Sequence, residues 1–445
     1  MQRAVVIGGS IAGLMTAKTL SPFFREVVIL EKDTLNSENG LHKGVGQGPH
    51  SHVLLPSGME ILKQLLDSPE LNPREYGIYP ADAAEDLKWF QFGVWKKRFH
   101  SGVNMGWCQR SQFEWRVRQD VLSVDNILLN SKSRVIGLMV AEEGSHISGV
   151  RYQTGTDKKE INALEADLII DASGRGTHTP KWLSEANITH IREDEVRAQL
   201  SYTTSRFKLP DSLIKTLDWK VLAIYPEPPL TSRGGLIYPI SNGEWMATLI
   251  GINGEAAPID MDGFMEYAQS LPQPDLYDVL QQATAVSETM NYRCPGSLWR
   301  RFDHIKPWPD NFLVIGDAVC SFNPIYGQGI TMMLFDLKKL ELFLKQREIN
   351  PTARHIGQLQ RKISQSKLLP WLMAASPDFM HTGTTGKKPL GIGIINGYTK
   401  AVMKLAGKDE DIHQRFINAF SFLKSPAVLM TPGVIGKVVG QKLFG

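Results

Sequence analysis

The stretch "RAVVIGGSIAGLMTAKTL", residues 3 to 20, leaves the chain little freedom. Ala4 to Ile7 are apolar and run into a glycine turn, Gly8-Gly9-Ser10-Ile11-Ala12-Gly13, and a helical pattern follows until Ser21-Pro22. A second apolar strand, "EVVILEK", covers residues 26 to 32 and carries Glu31 and Lys32 at its tip. Strand, tight turn, helix and strand form a βαβ unit, the seed of a parallel sheet. Gly8 permits the turn and Gly13 lets helix and strand pack closely. The N–H groups at the helix start then face a pyrophosphate. Ser10 stands where a second glycine is usual; it is small enough for that approach and can donate a hydrogen bond. Glu31 suits both hydroxyls of an adenosine ribose, and its charge argues against a 2′-phosphate there.

A second junction lies far along the chain, in "NFLVIGDAVCSFNPIYGQGITMMLF". Here Asp317 ends a strand, where its carboxylate can accept from a sugar or ribityl hydroxyl chain. Pro324 fixes the backbone, while Gly327 and Gly329 remove side chains where a flat ring must come close. A helix starting near Gly329, through Gln328, Gly329 and Ile330, aims its positive end at that ring, as a reduced flavin requires. Together the two junctions describe an FAD stretched from adenine at the first to isoalloxazine at the second.

These motifs resemble those of the FAD-dependent monooxygenases of the para-hydroxybenzoate hydroxylase fold. "GDAVCSFNPIYGQG" is similar to that family's flavin-ribityl motif and "VIGGSIAG…EK" to its N-terminal one. Arg110, in "WCQRSQFEWRVR", matches a family arginine at the FAD ribose-pyrophosphate region. "ADLIIDASGR" stands at the middle motif but departs from it, with Asp171-Ala172-Ser173-Gly174 in place of the usual Asp-Gly, which leaves the choice between NADH and NADPH open. "KGVGQGPHSHVLLPSG" (Lys43 to Gly58) and "YRCPGSLWRRFD" resemble a microbial branch of natural-product hydroxylases and polyether-type epoxidases, with squalene epoxidase as a distant relative. The resemblance places the first of these beside the flavin, so Gln47, His50 and His52 are flavin-edge candidates.

The implied fold is mixed α/β. It has a Rossmann-like FAD-binding domain (1–60, 100–180 and 295–345), an inserted antiparallel β-sheet substrate domain (61–99 and 181–294), and a helical C-terminal region (346–445). "LKWFQFGVWKKRF" alternates as one strand, placing Trp89 and Trp95 on one side. Residues 197 to 252 contain four strand candidates separated by Pro, Gly and Ser, as in an antiparallel meander. The strand and the meander would wall the substrate pocket, with Trp89, Phe92, Trp95, Tyr202, Tyr225, Tyr238 and Trp245 as lining candidates. Arg118, Arg175, Arg300 and Arg301 are candidates to hold a carboxylate or pyrophosphate.

Composition excludes other classes. A net charge of +3 over 445 residues, with no Lys/Arg block, gives nucleic acid no footprint. Three scattered cysteines offer no metal-site spacing and fit a reducing, cytoplasmic setting. No apolar run reaches the roughly 18 residues that span a bilayer. The stretch "PAVLMTPGVIGKVVGQKLFG", with Lys437 and Lys442, reads as a helix capping the core or lying on a membrane surface. No catalytic triad or carboxylate pair stands out, as expected when a cofactor supplies the chemistry.

The expected reaction is delivery of one oxygen atom from O₂, through a flavin C4a-hydroperoxide, to an apolar aromatic or alkene small molecule. NADH or NADPH would act as a transient reductant, since no second GxGxxG appears. Alternatives on the same scaffold are a prenyl reductase or cyclase and a halogenase, although the halogenase W-x-W-x-I-P segment is missing. A flavin-binding protein without catalysis is the alternative of a different class.

Overall fold

The computed structural model describes residues 1–35, 40, 44–141, 146–155, 160–188, 191–349 and 355–444. Lys43, at the start of the quoted flavin-edge segment, lies outside them. In chain order the first half provides β1 (Arg3–Ile7), α1 (Ile11–Leu20), β2 (Glu26–Leu30), β3 (Leu87–Gln91), β4 (Val94–Trp95), α2 (Arg110–Leu122), β5 (Ile127–Asn130) and β6 (Leu168–Asp171). The second half provides β7 (Glu193–Lys208), β8 (Val221–Ile224), β9 (Arg233–Pro239), β10 (Trp245–Gly251), β11 (Met290–Arg300), β12 (Phe312–Val314), α3 (Gly329–Ile349), α4 (Leu368–Asp378) and α5 (Glu410–Phe420).

A five-stranded parallel sheet has the order β12-β6-β1-β2-β5. Four of its strands, β1, β2, β6 and β12, are buried almost throughout, which is why they read as continuous apolar runs rather than alternating ones, while the edge strand β5 is partly exposed. Because β1 sits between β2 and β6, the loops after β1, β6 and β12 open at one edge. Backbone bonds tie that edge: Gly8 N–H donates to Leu30 O (2.9 Å), Ala172 N–H to Ile7 O (2.9 Å) and Ile315 N–H to Asp171 O (3.1 Å). The turn after β1 and the turn after β12 are therefore separated only by the end of β6. Ligands of open α/β sheets bind at this position.

A larger, mostly antiparallel sheet contains the run β11-β7-β10-β9-β8-β3-β4. The meander expected from the sequence is corrected: β8, β9 and β10 follow it, but β7 pairs with β10 rather than β8. The single strand expected over Leu87–Trp95 is also corrected. Phe92 (φ 56°) and Gly93 (φ 76°) turn it into a β3–β4 hairpin, with β3 parallel to β8. β11 belongs to this sheet along its whole length, so the boundary expected at residue 295 falls within a strand.

The helical end of the chain folds back onto both sheets. Buried Lys367, just before α4, places its ammonium 2.6 Å from each carboxylate oxygen of Asp336 on α3. Asp336 also accepts from Gly316 N–H at 3.1 Å, which fastens α4 to the tip of β12. The C-terminal helix Pro432–Phe444 caps its neighbours: Val434 and Val438 pack on Ala401, Val402 and Ala406. Among the described residues no helix is long and apolar enough to cross a membrane.

Gly13 is the tightest point in the opening unit, because a Cβ there would fall inside the Gly8 carbonyl oxygen. Glycine to alanine within a helix ordinarily gains about 1 kcal/mol. For Gly13→Ala we expect the opposite, a loss of about 3 kcal/mol or more as overpacking forces α1 off the sheet. A urea midpoint equal to or above wild type would contradict the contact.

Candidate functional site

At the β1 turn, Ser10 is the N-cap of α1 and no side chain caps the helix. The first intrahelical bond is Leu14 N–H to Ser10 O, so the preceding N–H groups of Ile11, Ala12 and Gly13 remain available to an anion. Ile11 is buried in the core, whereas Ala12 and Gly13 stay with the turn. Glu31 is 4% exposed, and its carboxylate accepts from Gly9 N–H (2.6 Å) and Asp33 N–H (2.8 Å). Each carboxylate oxygen keeps acceptor capacity for a hydroxyl. Lys32 is exposed and takes no part in this arrangement.

Ser10 does not direct its proton at the turn. Its hydroxyl donates to Glu114 Oε2 at 2.6 Å and accepts from Arg110 Nη2 at 2.9 Å. Glu114, 1% exposed on α2, also reaches Arg118 at 3.3 Å, and Arg118 donates to Leu35 O at 3.0 Å. Glu114 escaped the sequence reading, although its spacing of four residues from both arginines was a usable signal. Arg110 remains the cation beside the turn, with its Nε buried and unpartnered.

At the β12 tip, the Asp317 carboxylate makes no hydrogen bond among the described residues, and burial pushes it above the usual carboxylate range. Arg110 and Arg175 partly oppose that shift. An unpaired acceptor at a strand end is what a polyhydroxyl chain would satisfy. Pro324 begins a short turn that Asn323 caps, accepting from Ile325 N–H at 3.0 Å. Gly327 has φ 63°, and a Cβ there would fall on Val53 Cγ1, so the loop passes too close for any side chain. Gln328 is 1% exposed with Oε1 unpartnered, Gly329 opens α3 where a Cβ would meet only Asp317 Oδ1, at 3.7 Å, and Ile330 packs into the core. Met332 N–H to Gln328 O is the first bond of α3, leaving the N–H groups before it unpaired within the helix.

His50 and His52 lie on or beside the strand Ser51–Leu54. His50 Nδ1 is 2.8 Å from Thr204 Oγ1 on β7, its ring is 6.3 Å from Tyr202 and 5.7 Å from Tyr292, and Nε2 has no partner. His52 Nδ1 is 2.9 Å from His50 O. Burial lowers His50 to about 4, and burial with nearby Arg110 lowers His52 to about 3, so both are neutral at pH 7. Half-buried Gln47 holds this turn by accepting from His50 N–H at 3.1 Å.

The large sheet separates the pocket candidates by face. Strand alternation turns Tyr202, Tyr225, Tyr238 and Trp89 to the side that carries Val53, Ile325 and α5. Trp89 packs 5.4 Å from Tyr225 and 5.7 Å from Phe416, and Tyr225 donates to Ile325 O at 3.3 Å. Tyr238 donates to Cys108 O at 2.9 Å. Phe92 packs at the hairpin turn on this side. Trp95 and Trp245 face the other way, into a core under the helices Met261–Gln269 and Asp275–Leu280: Trp95 because the hairpin reverses the strand after Phe92, Trp245 by alternation along β10.

The remaining candidate arginines make contacts within the protein. Arg175 donates to Gly296 O (2.5 Å) and Ser321 Oγ (2.6 Å), Arg300 to Glu193, Ala318 O and Arg175 O, and Arg301 to Asp194 and Asp303. Asp171, in the middle motif, is fully buried and accepts from Ser173, Thr177 and Thr179. In this chain the motif staples its own loop.

No protein-family model matches the chain. Protein Rv3254 of Mycobacterium tuberculosis is 28% identical, over 99% of this chain and 94% of that protein. Squalene epoxidase 1 of Arabidopsis thaliana is 22% identical, over 77% of this chain and 59% of that enzyme. The solved structure of p-nitrophenol 4-monooxygenase PnpA from Pseudomonas putida aligns with a TM-score of 0.64 at 15% identity, covering 95% of this chain and 99% of that one. CmlS, a flavin-dependent halogenase, aligns with a TM-score of 0.64 at 16% identity, covering 95% and 76%. The fold is thus the one shared by flavin-dependent monooxygenases and halogenases, in line with the resemblance to the para-hydroxybenzoate hydroxylase fold.

The residues present fit FAD: an uncapped helix start with a cation beside it, a buried carboxylate at the next strand tip, and an unpaired Asp317 across β6. Asp317→Ala should lose FAD on gel filtration, with affinity reduced roughly tenfold or more by loss of a buried acceptor. Glu31→Ala should weaken retention through its loosened loop yet leave the flavin spectrum unchanged. A variant lacking Asp317 that stays as yellow as wild type would remove FAD from that junction.

Proposed function

We propose that the protein is an FAD-dependent monooxygenase, reduced transiently by NADH or NADPH, that places one oxygen atom from O₂ on a small aromatic or alkene compound. The observation that carries this is the shared edge of the parallel sheet. It sets Ser10 and Asp317 either side of β6, with the aromatic face of the large sheet lying over the Pro324 turn. Bound FAD, once reduced, supplies the activation of O₂.

The chain's own contribution is binding, orientation and dryness. Ile11, Ala12 and Gly13 would hold the pyrophosphate with Arg110, Glu31 the adenosine ribose and Asp317 the ribityl hydroxyls. The free N–H groups opening α3 would favour negative charge on the flavin ring. Trp89, Tyr225, Tyr238 and Phe416 would exclude water from the oxygen-transfer chamber. His50 and His52, neutral at pH 7, add no fixed charge near the ring.

A halogenase reading has a structural neighbour of that name behind it, although the halogenase tryptophan segment is missing. Isotope labelling separates the readings. With reduced cofactor, ¹⁸O₂ and a panel of phenols and alkenes, a product heavier by one ¹⁸O atom is expected and bromide should not be incorporated. Brominated product, or NAD(P)H oxidation that yields only hydrogen peroxide with every compound, would overturn the monooxygenase proposal.

A further inference from the structure

We propose that Asp378, together with Tyr202, reads an acceptor oxygen on the substrate, so that the compound oxidised carries a carbonyl, quinone or phenolate-type oxygen and is not a plain hydrocarbon. This rests on the monooxygenase reading and adds the substrate class. Helix α4 ends at Asp378 and delivers its carboxyl behind the Asn323–Gly327 turn, on the side of the large sheet that carries Tyr202 and Tyr225. The carboxyl is fully buried, and no salt bridge reaches it among the described residues. Its Oδ1 accepts from Asn323 Nδ2 at 2.7 Å and from the Tyr326 hydroxyl at 3.3 Å. Its Oδ2 has no partner, and neither has the hydroxyl of Tyr202, which is 7% exposed.

Among the described residues, the titratable groups facing this carboxyl are uncharged at pH 7. Burial raises Tyr202 on β7 and Tyr326 in the turn, raises Tyr225 just past β8 to about 12, and raises Cys294 on β11. His381, just past α4, is lowered to about 4 by burial. A helix C-terminus also opposes negative charge. Burial accordingly lifts Asp378 to about 7, despite hydrogen bonds from Asn323 and Tyr326 that favour the anion.

The position of the proton follows from the bonding. Oδ1 already accepts two donors, so the neutral acid carries its hydrogen on Oδ2 and is a donor there. Two buried O–H groups, on Asp378 and Tyr202, thus lack an acceptor. Buried donors are rarely left unsatisfied. A ligand oxygen with lone pairs answers both, whereas an alkene or arene carbon answers neither. A site that hydrogen-bonds its ligand rejects analogues lacking the matching atom far more strongly than an apolar site does.

The test uses the full chain loaded with FAD and matched ligand pairs: acetophenone with ethylbenzene, and 2-acetylnaphthalene with 2-ethylnaphthalene, read by perturbation of the flavin absorption. At pH 6 wild type should bind a ketone about tenfold or more tighter than its hydrocarbon partner. Asp378→Asn keeps an N–H donor at the Oδ2 position and should keep the preference, while Asp378→Leu and Tyr202→Phe should weaken it. Raising the pH from 6 to 9 should erase the preference in wild type, because ionisation turns the Oδ2 donor into an acceptor, and leave it level in Asp378→Asn. Equal binding of ketone and hydrocarbon, failure of every ketone to bind at pH 6, or a preference that does not change with pH in wild type would each overturn the inference. The Asp378→Asn and pH comparisons hold even if the leucine variant fails to fold. FAD-loaded protein with no ketone preference rejects this inference alone, whereas protein that takes up no FAD rejects the monooxygenase reading with it.

Discussion

The contact between Gly13 and the Gly8 carbonyl sets the geometry on which the site depends. It lets α1 start close against the end of β1, so that unpaired N–H groups and the tip of β2 meet within one turn. The sheet order then does the rest. With β6 alone between β1 and β12, the second junction falls at the same edge, and Arg110 is near enough to act electrostatically on Asp317. A binding edge built from backbone donors costs little to organise, since those groups are unpaired at helix starts anyway.

The second constraint is the alternation of the large sheet. One face of β7 and β10 presents Tyr202, Thr204, Thr248 and Ile250 toward the flavin-side turn, and the other sends Phe207, Trp245 and Leu249 into a separate core. Two elements of the helical tail complete the chamber. Helix α5 supplies Phe416 and Phe420 against Trp89, and α4 supplies Asp378. The Lys367–Asp336 pair explains how α4 keeps its place: breaking a buried pair costs about 3–5 kcal/mol, and this one also holds Gly316. The tip of β12 and helix α4 thereby share one anchor.

Legibility in the sequence followed the range of the interaction. The βαβ opening and the start of α3 at Gly329 were readable because glycines, periodicity and strand tips are local signals. The side to which Trp95 points was not, since it hangs on the left-handed backbone of Phe92, a conformation that a bulky residue seldom adopts. The pairing of β7 with β10 was also hidden, because separators mark strand ends but carry no partner information. Glu114 was within reach through its spacing; Asp378 was not, because its role arises only when α4 folds back onto a turn 55 residues earlier.

What unites the substrate side is electrical neutrality. His50 and His52 are held below their ordinary range, the tyrosines above theirs, and Asp378 keeps its proton to about neutral pH, in each case with burial as the largest cause. The charged residues nearby are spent elsewhere: Arg175 and Arg300 on backbone carbonyls, Arg118 on Glu114. A chamber of neutral donors beside a cofactor edge lined by Arg110 and free N–H groups divides the labour. On the proposed function, the cofactor's phosphates would meet positive potential, while the reacting oxygen would meet hydrogen bonds without a fixed counter-charge. In such a low-dielectric space a neutral donor discriminates by position, so specificity would reside in where the Asp378 and Tyr202 hydrogens point rather than in net charge.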